Sequence, residues 1–316
     1  MTYAAEMTKE SLLSVLLAVA FAHEAGGAGP TAEAATWSGA DLAVVVPLCL
    51  SGALYLIGVA RLWHRAGAGR GISGVNFACF AAGWLTLALA LLSPLHGWSE
   101  ELFAAHMVQH VLLVAVAPPL LVLGRPGGAL SWSLPMAWRR GLGAVVRARP
   151  VAAGWAMVTN PLIATLLQGV TLWAWHLPVL FEAALADPWL HWQEHASFLG
   201  TAALFWWAML GRPARVHGYG ISVACLFVTL LHSSFLATLL TLSPRLWYAP
   251  APGAADWGLS AMEDQQLAGL IMWVPGGALY TLAALALAGL WITRIGKPQG
   301  RRNAKSQPSS ASRISC

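Results

Sequence analysis

Two pairs of histidines stand four residues apart, His106 with His110 and His191 with His195, and each pair falls inside a long apolar stretch. Four residues is close to one turn of α-helix, so each pair presents two imidazoles on one helix face. Imidazole is the commonest side-chain ligand for transition metals, and two such pairs on neighbouring helices offer four nitrogens to one point between them. A histidine inside an apolar span is costly unless it has a partner, which strengthens the metal reading. His176 and His232 lie in two further apolar stretches, Glu194 lies within the second pair, and the thioether of Met107 would suit Cu(I).

Four other readings of the same residues stay open. Opposed histidines on adjacent helices can be axial ligands of a b-type haem. His191-Trp192-Gln193-Glu194-His195 fits the H-x-x-E-H pattern of zinc hydrolases, in which two histidines hold zinc and the glutamate is the base. Interfacial histidines can also simply hydrogen-bond to carbonyls or carboxylates, leaving a metal-free protein that binds partners through its apolar faces. Intramembrane polar groups line ion paths as well, but no inverted repeat relates the two halves of this chain.

Composition decides what carries these residues. With 58% hydrophobic and 10% charged residues in 316, and a mean hydropathy of +0.63, the chain has too much apolar surface for one soluble core. Seven apolar stretches are long enough to cross a membrane as helices: Asp41 to Trp63, Val75 to Pro94, Leu102 to Gly124, Trp155 to Pro178, Trp189 to Leu210, Tyr219 to Ser243 and Gln265 to Thr293. The expected fold is an all-α integral membrane bundle of seven transmembrane helices.

Sixteen of the 18 basic residues fall on alternate connections and on the tail, which the positive-inside rule assigns to the cytoplasm. The N-terminus is then outside and the C-terminus cytoplasmic. Acidic residues gather on the opposite side, so the net charge of +5 is a topology signal and gives no reason to expect a nucleic-acid partner. The third and fifth spans enter from outside with their histidine pairs first. His176 ends the fourth span at the same level, His96 follows the second, and His232 lies nearer mid-membrane in the sixth. Together they make a funnel of imidazoles open to the outer side.

Residues 1–22 read as a signal segment, cleaved or retained, because an apolar run ends in Ala20-Phe21-Ala22. Residues 23–40 form an external linker, 41–295 the membrane domain, and 296–316 a disordered basic cytoplasmic tail. The four cysteines show no paired spacing, which argues against thiolate chemistry. Many of the 17 tryptophans sit at span ends, as in any aromatic belt, and Pro118-Pro119 should kink the third span beyond its histidines.

The run His106-Met107-Val108-Gln109-His110, continuing through Ala117-Pro118-Pro119 to Arg125-Pro126, resembles the signature of the multi-span CtaG-like cytochrome c oxidase assembly factors. His232-Ser233-Ser234-Phe235 and the stretch from Asp264-Gln265-Gln266 to Pro275-Gly276 are similar to that family too, and the resemblance runs from about Asp41 to Ile295. It implies a non-enzymatic role in assembling a haem-copper oxidase in a bacterial cytoplasmic membrane, at the stage of copper insertion, with oxidase subunits and membrane lipid as partners. The expected metal ligands are His106, His110 and His232, which lie in the matching motifs, and His176, His191 and His195, which rest mainly on spacing. Asp264, Glu194, Gln109, Gln265 and Met107 would surround them.

Overall fold

The computed structural model describes residues 39–211 and 218–295, which among them contain helices and no strand. The signal segment, the linker up to residue 38, His23, His217 and the basic tail lie outside the described residues. The helices are α1 (Gly39–Ala66), α2 (Gly74–Leu92), α3 (Pro94–Glu101) and α4 (Phe103–Leu123). Four short ones follow: α5 (Pro126–Ser133), α6 (Met136–Arg147), α7 (Arg149–Val158) and α8 (Pro161–Trp175). Then come α9 (Pro178–Ala186), α10 (Pro188–Leu210), α11 (Tyr219–Leu242) and α12 (Ala261–Thr293).

Five of these, α1, α2, α4, α11 and α12, are long and apolar enough to cross a membrane. The fourth expected span is bent. α7 and α8 meet at 63° because Pro161 cannot continue a helix from α7, and Asn160 turns its side chain to accept the Leu162 N–H at 3.0 Å. Counted as one crossing, this pair makes six. The fifth expected span, α10, is 23 residues long but less apolar than the others, because His191, Gln193, Glu194 and His195 crowd its first turns. Of the seven expected spans, five, or six with the bent pair, are thus long and apolar enough to cross among the described residues, and α10 falls short on hydropathy.

Helix starts are written in the sequence. Ser73 with Asn76 and Ser260 with Glu263 form capping boxes, and proline opens α3, α5, α8, α9 and α10. Pro118-Pro119 bends the hydrogen-bond ladder without ending the helix. Leu112–Val116 forms a π-turn in which the Ala117 N–H bonds to the Leu112 carbonyl. A second π-turn, Met272–Gly276, surrounds Pro275 in α12.

A proline leaves the carbonyl four residues before it without its helical donor. Pro118 does this to Val114, whose oxygen instead accepts the Trp206 indole N–H at 2.9 Å. Pro47 does it to Ala43, which accepts from the Trp192 indole at 3.3 Å. Both indoles come from α10, which thereby ties α1 and α4 together. Trp206 is fully buried and stacks on Tyr280 at 5.6 Å, so it belongs to the core and not to an interfacial belt.

Candidate metal centre

The N-termini of α4 and α10 are fixed by aspartates. The Asp264 carboxylate, from α12, accepts the Phe103 and Ala104 N–H groups, both at 2.9 Å, and so caps α4 across 160 residues of sequence. Asp187 caps α10 by accepting from Trp189 and Leu190 at 2.7 and 3.2 Å. Counted from Phe103 and Pro188, the histidines of each pair are the fourth and eighth residues of their helix.

These two matched turns face each other. The rings of His106 and His191 lie 5.3 Å apart, those of His110 and His195 5.6 Å, and those within each pair 4.3 Å. His176, the C-cap of α8, closes one side with its ring 6.1 Å from that of His110. Glu194 sits among them with no exposed surface. One of its oxygens is 3.5 Å from His110 Nε2 and the other 3.9 Å from His106 Nε2.

The hydrogen-bond account of this pocket does not close. Neither oxygen of Glu194 has a hydrogen-bond partner, and the Nε2 atoms of His106, His110, His176, His191 and His195 have none either. Most buried polar groups are satisfied, and an unpaired buried carboxylate costs several kcal/mol. One donor atom from each of His106, His191, Glu194 and His195 lies within 4.8 Å of all the others. A tetrahedral ion with bonds of about 2.0–2.1 Å needs donors about 3.4 Å apart. The four donors would have to close from within 4.8 Å to that spacing, and their types and proximity fit an ion. Three imidazoles and one carboxylate suit divalent zinc, copper, iron or nickel.

Residues 53–294 match the family described as cytochrome c oxidase caa3 assembly factor (Caa3_CtaG). The chain belongs to that family. An uncharacterised protein of Mycobacterium bovis is 27% identical to this chain over an alignment of 235 residues, with 66% of this chain and 33% of that protein covered. One from Mycobacterium tuberculosis matches to the same extent, and one from Mycobacterium leprae is 24% identical over 229 residues. This member of the family therefore spans about a third of the length of the curated relatives it matches. No solved structure matches it at a significant level.

The remaining expected site residues are distributed differently. Asp264 caps α4 and so positions His106 from behind. Gln265 works beside it, accepting from the Trp247 N–H at 2.7 Å and donating to the Arg245 carbonyl at 3.2 Å, which holds the α11–α12 connection in place. Gln109 donates to the Ala90 carbonyl at 2.7 Å and lies 3.4 Å from His96 Nδ1. Met107, one residue round the helix from His106, packs with Phe181, Leu240 and Tyr248, and its thioether is spent on that apolar cluster. His232 is set apart from the ring cluster. It lies against α8, where a Cβ on Gly169 would be 3.4 Å from its Nε2.

Three groups at the site were not among the residues expected to hold or surround a metal. His96, partly exposed on α3, stacks on His191 at 5.9 Å and marks the mouth. Phe181 covers His106 edge-on at 5.2 Å. Tyr248 donates its hydroxyl to the His176 carbonyl at 2.8 Å, and burial, with the Glu194 charge adding to it, raises that phenol above its ordinary pKa. His96 already stood at the outer level in the sequence, whereas nothing in the spacing of Phe181 or Tyr248 marks them.

Proposed function

We propose that this chain holds a transition-metal ion, copper in the first place, on His106, His191, Glu194 and His195 and loads it into a haem-copper oxidase of a bacterial cytoplasmic membrane. In this reading the chain crosses seven times, N-terminus outside, with the histidines facing the outer compartment. It is a non-enzymatic assembly factor. The observation that carries the reading is Glu194, a carboxylate without exposure or hydrogen-bond partner, ringed by imidazole nitrogens that also lack partners. His110 and His176 stand close enough to take over one coordination position each, so cargo would move by ligand exchange.

The close ring packing supports an ion over a macrocycle, since a porphyrin needs a flat slot that the facing imidazoles already occupy. A groove beside the pocket supports lateral delivery. An apolar groove of about 670 Å³, lined by Pro47 of α1, Leu87 of α2, Leu121 of α4 and Ala196, Gly200 and Ala203 of α10, reaches His195 from the side. A membrane helix of an oxidase subunit docked there would meet the metal pocket laterally.

The test is to purify the full chain in detergent, load it with Cu(II) or Zn(II), desalt it and measure bound metal, alongside oxidase maturation in cells. One ion per chain, lost in H106A and H191A together with oxidase activity, is the expected result. Oxidase maturation that survives both substitutions would overturn the reading.

A further inference from the structure

The end of the bundle remote from the His106–His191 cluster carries a second concave site. From Ala43, where α1 meets Trp192, α1 runs about 20 residues further, or about 30 Å at 1.5 Å per residue, and its last turns present Arg61, His64 and Arg65. Opposite them, Trp132 of α5 and Arg139 of α6 complete a cavity of about 470 Å³. Arg61 donates to the Ser133 carbonyl at 2.5 Å and so ties α1 to the end of α5. The Arg139 guanidinium lies over the Trp132 ring at 4.3 Å.

No carboxylate answers these charges. The sequence has no Asp or Glu from residue 42 to 99 or from 102 to 181, and among the described residues every ion pair is between a histidine and a glutamate. Guanidinium groups present planar forks of donors that match phosphate oxygens, so three of them around one cavity make a site for a phosphate group.

α6 indicates where that phosphate comes from. Trp138, Leu142 and Val145 recur at helical spacing on one face and are 72%, 47% and 57% exposed, while Arg139, Arg140 and Arg147 lie round the other side. A helix of this kind lies in the membrane interface with its apolar face among acyl chains. The geometry points to the cavity of Arg61, Arg65 and Arg139 as a binding site for the headgroup of an anionic phospholipid, whose chains run beside α6 and the apolar flank of α1. Basic cavities of this kind between membrane helices recognise such headgroups through phosphate.

The experiment is native mass spectrometry of the full chain in dodecyl maltoside, comparing retention of dioctanoyl phosphatidylglycerol and dioctanoyl phosphatidylcholine. Wild type should retain phosphatidylglycerol about tenfold better. R65Q/R139Q should lose that preference, whereas R140Q/R147Q, with the same charge change on residues outside the cavity, should keep it. Arg61 is left intact because it holds Ser133. R65Q alone, at an exposed side chain without a hydrogen bond, gives a reduced preference if the double variant fails to fold. An undiminished preference in folded R65Q/R139Q would overturn the assignment. Displacement of the lipid by equimolar inorganic phosphate would reassign the cavity to a free anion, and displacement by hexaglutamate to an acidic protein partner. Either would overturn the lipid claim.

Discussion

The imidazoles of His106 and His191 lie nearly parallel, 5.3 Å between centroids and 14° between planes, and each is the fourth residue of its helix. Equal distance from two capped N-termini brings them to the same level. Helix N-termini carry partial positive charge and so oppose a cation placed beside them. The buried carboxylate of Glu194 supplies the counter-charge that a cation in this pocket requires.

Removing that carboxylate separates binding from folding. E194Q keeps the shape of the side chain but loses the charge, so metal retention should fall about 10–100-fold while the metal-free protein melts at the same temperature or higher. Equilibrium dialysis and a thermal melt on one preparation check both halves. Unchanged metal retention would remove Glu194 from the donor set.

The histidines divide into those that converge and one that does not. H106A and H195A should each lower metal retention at least tenfold, and H232A should leave it unchanged, because the ring of His232 rests against α8 outside the cluster. Metal analysis after desalting gives the answer. Equal losses in all three would mean that the residues meet in an arrangement unlike this one.

Asp264 acts at a distance. D264N replaces a carboxylate that accepts two N–H groups by an amide with one oxygen, and should destabilise the fold by about 1–2 kcal/mol through the lost cap. Metal affinity should drop with it as α4 loses its fixed start. An unfolding curve unshifted from wild type would show that the cap contributes nothing.

The lateral groove can be closed without touching the pocket. A Cβ on Gly200 meets nothing within 4 Å, so G200L should fold and bind metal normally while filling the groove and blocking oxidase maturation. Gly58 is the counterexample. A Cβ there would collide with the backbone carbonyl of Ala129, and G58A should lower the melting temperature. If G200L supports full oxidase activity, delivery does not use this groove.

Helical periodicity and hydropathy located α1, α2, α4, α11 and α12 to within a few residues, because each is a long apolar run. α8 was less legible. Hydropathy merges its approach into the single stretch Trp155 to Pro178, although Asn160-Pro161 carries both a cap and a helix start. The two i, i+4 pairs were visible because spacing on one helix fixes a face. That Met107 turns away, and that Asp264 caps a distant helix, depend on packing between elements far apart in sequence, which no local pattern encodes.

Pro118 with Trp206, and Pro47 with Trp192, form couples in which one member creates a need that only the other meets. Hydrocarbon offers no solvent to a stranded carbonyl, so neither tryptophan can be exchanged freely while its proline remains. In a double-mutant cycle, W206F should be tolerated far better beside P118A than alone. Trp192 and Trp206 are thus debts incurred on other helices, and sequences that drift at one position of a couple must drift at the other.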